Sequence, residues 1–357
     1  MKLLITGLIS FIVATATAQD TIRPFSFFGY AEVYYGYDFG KPATNTRPSF
    51  LYNYTHHNQV NANLVFLKFG YAKNRFRFNM APMLGTYSQS NLAEEPFYLR
   101  QIFEANIGGK LLKKKELWLD AGVFPSHIGF ESAIGKDCPT LSRSMLAENS
   151  PYFETGIKLT YQHNPKWTFT VLVLNGWQKI RWIKGKTLPS FGAQIVYQPT
   201  DKLLFNYSNF IGTDNPDSIR RMRYFHNLYA VWSAHPQLTL TAGFDIGTEQ
   251  KAKYSAAYNV WYSPVFIVAY KPISKLAVAA RYEFYSDKNG ALIKTGTLNG
   301  FQTHGVSVNL DYIICSKIVW RVEGKILNSR DKIFIYKERE SRNNYSILTS
   351  MAISLSK

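Results

Sequence analysis

Cysteine is almost missing from this chain: 357 residues contain two, Cys138 and Cys315. Two thiols make no disulfide framework, and no Cys-X-X-Cys, zinc spacing or Cys–His nucleophile pattern accompanies them. Cys138 falls in a long irregular segment and Cys315 in a tight turn at the other end of the expected topology, so the two are expected not to be bonded to each other. Long apolar runs are missing too. Beyond the first residues nothing approaches the roughly 18 apolar residues of a membrane helix, and VLVL at 171–174 is typical of the longest stretches. A helical membrane protein is thereby excluded. Aromatics, by contrast, are abundant, with 24 Tyr, 25 Phe and 7 Trp making 16% of the chain. The mean hydropathy is nevertheless slightly negative. A chain rich in aromatics yet not hydrophobic overall is what strands with one apolar and one polar face produce.

The N-terminus places the protein outside the cytoplasm. Met1-Lys2 is followed by a mostly apolar stretch to residue 13 and by Ala16-Thr17-Ala18, the small-residue pattern before a signal-peptidase cut. Residues 1–18 are expected to be a signal peptide and residues 19–357 the exported chain. The apolar stretch is too short to anchor, and no cysteine follows it to carry a lipid.

Pro165, Pro199, Pro236 and Pro272 recur at intervals of 34, 37 and 36 residues. Each belongs to a tight turn that opens a segment of period-2 alternation, such as WTFTVLVLNG after Pro165 and LAVAARYEFY after Pro272. Turns without proline extend the series at 72–74, 113–115 and 315–317. Seven short turns therefore alternate with eight longer segments: 39–57, 87–96, 125–150, 177–189, 213–221, 248–256, 287–300 and 328–342. This predicts an all-β, antiparallel up-and-down transmembrane barrel of about 16 strands (range 14–18), with short periplasmic turns and long extracellular loops. The last stretch, 344–356, alternates as well and is expected to close the cylinder.

The faces follow the same period. Leu276, Val278, Ala280, Tyr282 and Phe284 share one side of a strand and Arg281 and Glu283 the other. Ile318, Trp320, Val322 and Ile326 similarly oppose Arg321, Glu323 and Lys325. Strands of about 10 residues tilted by about 40° rise about 25 Å, the height of the apolar band of such barrels. A soluble propeller would bury these faces equally well. Three features favour the membrane: the unequal connections at the two ends, the closing strand, and Trp167, Trp177, Trp232 and Tyr270 near strand ends. A four-stranded blade also needs about 40–45 residues and its own signature, which is missing.

The segment WLDAGVFPSHIGFE at 118–131, the opening strand SFFGYAEVYYGYDF at 26–39, and LAENSPYFETGIKL from residue 146 onward resemble the OmpL-like beta-barrel porins of the porin-2 type in Gram-negative outer membranes. The likeness spans nearly the whole exported chain. It implies an outer-membrane channel without cofactor or catalytic residues, and names no solute.

The expected function is passive diffusion of small hydrophilic solutes, with a weak preference for anions. The alternatives are a non-transporting barrel binding lipopolysaccharide or a partner protein and, further off, an outer-membrane hydrolase. Wall positions assigned to the lumen are Arg75, Arg77, Glu104, Asp120, Lys158 and Asp245, and further along Arg281, Glu283, Arg321, Glu323 and Lys325. Glu32, Glu154 and Asp311 belong to the same faces, so the wall is mixed in sign. Segment 125–150 is the candidate for an inward-folding constriction, carrying His127, Glu131, Lys136, Asp137, Arg143 and Glu148. His127 and Glu131 are read as a hydrogen-bonded pair that holds the loop, since Pro125 and Gly129 oppose the helix that metal binding at this spacing would need. His56 and His57 read as an exposed loop pair.

The net charge of +17 is the remaining clue. Its surplus is placed in loops: Lys179, Arg181, Lys184 and Lys186; Arg220, Arg221 and Arg223; Arg330, Lys332, Lys337, Arg339 and Arg342. Such a rim draws anions to the mouth and pairs with lipid phosphates and lipopolysaccharide, while export makes nucleic acid an improbable partner. Small residues at Ala277, Ala279 and Gly243 hint at a flank for oligomer contact, but the oligomeric state is left open.

Overall fold

The computed structural model describes residues 24–356. The expected signal peptide, 1–18, lies outside them. The first strands are β1 (Phe25–Asp38), β2 (Val60–Lys73), β3 (Phe76–Leu84), β4 (Ile102–Lys110), β5 (Glu116–Pro125) and β6 (Phe153–Asn164). There follow β7 (Trp167–Leu174), β8 (Ser190–Thr200), β9 (Leu203–Gly212), β10 (Arg223–His235) and β11 (Leu238–Gln250). The wall is completed by β12 (Tyr258–Ile273), β13 (Leu276–Asp287), β14 (Phe301–Cys315) and β15 (Ile318–Ser329). Beyond these, β16 (Phe334–Tyr336) and β17 (Arg339–Ser341) form a separate hairpin in the last loop, and β18 is Asn343–Ser356.

Sixteen of these strands make a closed antiparallel barrel in which each neighbours the next in sequence. Closure comes from β18, which pairs with β15 on one side and with β1 on the other, from Phe28↔Ser356 to Asp38↔Ser346. Closure leaves no strand edge unpaired, the condition for a sheet in hydrocarbon. The expected strand count, the seven short turns and the eight long connections all match this topology.

The proline turns work because proline has no N–H to give a ladder. Between β6 and β7 the register skips from Gln162 to Asn164, and Asn164 Oδ1 accepts from the backbone N–H of Lys166 and Trp167 at 2.9 and 3.0 Å. The same kind of skip flanks Pro199, Pro236 and Pro272. An Asx turn or bulge thus satisfies the backbone where proline interrupts it.

Burial alternates along most of the strands, most regularly in β10, β11, β14, β15 and β18, with the exposed side turned outward. Val306, Val308, Phe266 and Trp320 are exposed, whereas Arg281, Glu283, Arg321 and Glu323 are buried. The core therefore lies inside the cylinder. One cluster gathers Phe66, Tyr87, Leu146, Val265 and Ile267, and another Phe50, Ile128, Met145, Phe210, Trp261 and Phe301. Ala277, Ala279 and Gly243 lie on the inner face, so they form no outer flank: Ala279 is buried and Gly243 packs under a phenyl ring of the lumen. Cys138 is buried and Cys315, at the end of β14, exposed; both are free.

Candidate functional site

Segment 126–152 leaves β5 and turns into the lumen. Its backbone is held first by its own side chains. Arg143 donates to the carbonyls of Ser132, Leu141 and Ala133 at 2.6, 2.5 and 3.1 Å. Ser144 caps the short helix α1 (Met145–Glu148) by accepting from Ala147 N at 3.2 Å, and its own N–H and hydroxyl are received by Glu131. A segment with so little regular structure has many backbone polar groups to satisfy, and these contacts do so without solvent.

One arc of the wall then grips it ionically. Arg281 on β13 donates to Thr140 Oγ1 and Ser142 O, both at 2.7 Å, and lies 3.1 Å from Glu323 and 3.6 Å from Glu131. Glu323 on β15 receives the N–H and hydroxyl of Ser142. Lys325 pairs with Glu283 at 2.8 Å, and Glu283 accepts from Met145 N at 2.5 Å. Arg321 pairs with Asp311 at 2.7 Å and donates to the carbonyls of Gly135 and Cys138. Arg281, Arg321 and Glu323 are at most 1% exposed, although they project into a cylinder wide enough to be flooded. Ions so deeply buried persist only where each has a partner, and each has.

A second arc, reached through β11 and β12, holds the segment mainly with uncharged groups. Asn227 on β10 accepts from Gly129 N at 3.2 Å, and Gln194 on β8 donates to His127 O at 2.9 Å. His127 Nδ1 sits 2.8 Å from Glu154, and Nε2 2.8 Å from the carbonyl of Asn209. Phe130 packs on Tyr229 with ring centroids 5.6 Å apart. Two glycines make room here. A Cβ on Gly192 would lie 2.7 Å from the His127 ring, and one on Gly243 only 2.4 Å from Phe130.

Segment 126–152 is also tied to the first loop. Glu148 accepts from the N–H groups of Tyr52 and Asn53 at 2.8 and 3.2 Å and from Asn53 Nδ2. Burial pushes its carboxyl up to about 7, against the opposing pull of the Tyr52 N–H and of Arg143. Burial likewise raises the Cys138 thiol, to about 11, leaving it unreactive. Lys136 reaches Ser354 on β18, and its N–H meets Tyr30 OH at 3.4 Å; Asp137 is raised by burial.

Several sequence expectations need correcting. His127 pairs with Glu154, across the hairpin formed by β5 and β6, while Glu131 turns to Ser144 and Arg281. The expected His127–Glu131 bond is not formed. Arg75 lies on the β2–β3 turn, exposed, and donates to the carbonyls of Lys110 and Leu111. Arg223, grouped with the loops, opens β10 facing inward and pairs with Glu249 at 2.6 Å. His57 is buried and accepts from Asp38 N at 2.9 Å, so the His56–His57 pair is not an exposed one. Trp177 packs inside the mouth against Phe210 and Phe225 rather than in the lipid belt.

The other wall positions fall on the inner side. Arg77 pairs with Asp120 and stacks on Trp118, Glu104 pairs with Lys68, Lys158 lies 4.4 Å over the Phe124 ring, and Asp245 accepts from Asn227. The sequence reading missed the uncharged anchors Asn227 and Asn309, which accept from the N–H groups of Gly129 and Leu141. Asn227 and Asn309 occupy inward positions of their strands, and that parity could have marked them. Among the described residues no group of three His, Cys, Asp or Glu is arranged to hold a metal.

Known proteins carry the same architecture. The barrel is similar to the anion-selective porin from Comamonas acidovorans (TM-score 0.61, 8% identity, 93% of this chain and 99% of that one). It is similar to the outer membrane channel DcaP of Acinetobacter baumannii (TM-score 0.61, 10% identity, 93% and 97%). OprB of Pseudomonas putida aligns at TM-score 0.59 and 11% identity over 93% and 94%. At these identities the likeness speaks for the fold alone. No sequence among curated proteins matches. The family described as "Putative beta-barrel porin-2, OmpL-like" matches residues 24–355, and with its closed 16-stranded barrel the chain belongs to this family of outer-membrane porins.

Proposed function

We propose that the barrel passes small hydrophilic solutes by passive diffusion, without any catalytic step, and that segment 126–152 is the barrier that limits them. The observation that carries this reading is the double anchorage of one loop to two separate arcs of the wall, by Arg281, Arg321 and Glu323 on β13 and β15 and by Asn227 and Gln194 on β10 and β8. Solutes must pass beside or through this segment, so its packing sets the size limit.

An anion preference belongs to the mouth. The wall cations Arg281, Arg321 and Lys325 are matched by Glu323, Asp311 and Glu283 and leave no positive field along the path. In the loop at 175–189 Lys179 is paired with Glu94 and Lys186 is buried, donating to the Asn175 carbonyl, which leaves Arg181 and Lys184 exposed at the rim. Such a rim concentrates anions within about 8–10 Å, the screening length near physiological salt, so the bias is weak and fades as salt rises. The same loops suit the phosphates of lipopolysaccharide. A closed barrel that only binds at its surface is the second reading, favoured by how completely the segment covers the wall.

Purified full-length protein in a planar bilayer decides between them. The expected result is small, discrete conductance steps that grow when 131–147 is replaced by a Gly-Ser linker. Absence of steps in both proteins overturns the channel.

A further inference from the structure

The turn end of the barrel has a charge pattern that the channel reading does not use. Along the seven short turns and their flanking strand ends stand eleven Lys and Arg against two carboxylates, Glu116 and Asp201. Lys110 is paired with Glu116, and Arg75 braces the neighbouring turn. The remaining nine are lysines, distributed around the circumference: Lys73 after β2, Lys113 to Lys115 after β4, Lys166, Lys202, Lys271 with Lys275, and Lys317. All nine are exposed, and among the described residues none has an ion-pair partner.

Depth gives this ring its meaning. Directly above it on the outer face lies an aromatic belt: Trp167 stacked on Tyr197 at 4.1 Å, then Trp232, Tyr270, Tyr312 and Trp320. Trp and Tyr settle at the headgroup level of a bilayer, so the lysines of the adjoining turns, such as Lys166 beside Trp167, Lys271 beside Tyr270 and Lys317 three residues before Trp320, stand at the phosphates. Apolar side chains are interleaved with them: Leu111, Leu112, Ile273 and Ile314 are 45–61% exposed beside the same turns. Apolar residues at that height belong in the acyl boundary, and lysine stems reach from there to the charged surface. A ring meant only for water or for a soluble anion would have no use for them.

We propose that this rim is a binding surface for anionic phospholipids of the periplasmic leaflet, with lysine ammonium groups on the lipid phosphates and the interleaved apolar side chains in the acyl boundary. The barrel thereby gathers an annulus enriched in negatively charged lipid at its turn end.

The belt tryptophans serve as native reporters. Full-length protein is reconstituted in phosphatidylcholine vesicles containing brominated phosphatidylglycerol or, separately, brominated phosphatidylcholine, and tryptophan quenching gives their relative affinities. The expected result is a two- to three-fold preference for the anionic lipid at low salt that shrinks in 0.5 M NaCl. K113Q/K114Q/K115Q/K271Q/K275Q, which keeps the heat-dependent gel mobility of a closed barrel, is expected to lose most of that preference. Equal quenching by both lipids overturns the proposal, as does a preference unchanged in the variant. If the variant keeps the lipid preference but loses cosedimentation with purified peptidoglycan, the rim serves that polymer and the lipid assignment falls.

Discussion

The two arcs of the lumen wall hold the same loop by different physics. On β13 to β15 the grip is ionic and, Asp311 apart, buried, with Arg281, Arg321 and Lys325 meeting Glu131, Glu283, Asp311 and Glu323. On β8 to β10 it is carried by amides, one imidazole–carboxylate contact and an aromatic ring under which glycines leave space. Charges in such a place cannot be removed one at a time, because the partner is left buried and uncompensated. Amides can, at the cost of a hydrogen bond. The ionic arc should therefore be the fixed hinge of the segment and the amide arc the side that yields.

This contrast can be broken in order of severity. Arg281→Met strands Glu131 and Glu323 together and is expected to cost about 3–5 kcal/mol. It should appear as a lower midpoint of heat-dependent gel mobility and as noisy, enlarged conductance. If conductance and midpoint stay at the wild-type values, the ionic arc does not hold the segment. Gly243→Val, which drives a branched side chain into the position of Phe130, should open the amide arc while leaving the barrel's midpoint nearly unchanged. A drop as large as that of Arg281→Met would erase the distinction between the arcs.

The third test uses pH. A Glu148 carboxyl that titrates near 7 in the closed segment, but in the ordinary carboxylate range when released, binds a proton more tightly when closed. Closure is then favoured as pH falls through 7, and this contribution is fully present below about 4.5 and lost above 7. Conductance should fall between pH 8 and pH 5, and Glu148→Gln should remove that dependence. A response of opposite sign would show that the Tyr52 and Asn53 contacts matter more than desolvation.

Smaller effects belong to single uncharged anchors and to the rim. Asn227→Ala should cost about 1 kcal/mol of segment closure, visible as more frequent openings. R181Q/K184Q should shift the reversal potential in a KCl gradient slightly toward cations at low salt only. A shift that persists in 1 M KCl would move the selectivity filter from the mouth to the segment.

Much of this wall was legible in the sequence because a strand's period of two is local. Arg281, Glu283, Arg321, Glu323 and Lys325 could be placed on the inner face from their neighbours alone, and the proline turns marked where each hairpin reverses. The loop was legible as a long irregular stretch with charges of both signs, but its partners were not. His127 finds Glu154 only because β5 and β6 bring Phe124 opposite Glu154, and Glu131 finds Arg281 across the lumen. Arg75 and Arg223 lay within two residues of a strand boundary, where a shift of that size decides between turn and wall. Contacts set by closure of the whole cylinder leave no periodic trace.

The sequence separations inside the ionic arc carry a consequence for assembly. Ser142 meets Glu323 and the carbonyl of Gly135 meets Arg321, partners 181 and 186 residues apart. Those docking sites lie on β15, the next-to-last strand of the cylinder, which β18 must still seal against β1. Contacts between such distant residues reward the chain only after the intervening loops have been closed. Docking of residues 131–145 therefore has to wait for β13 to β15, so the interior of the cylinder is filled from the C-terminal end of the chain.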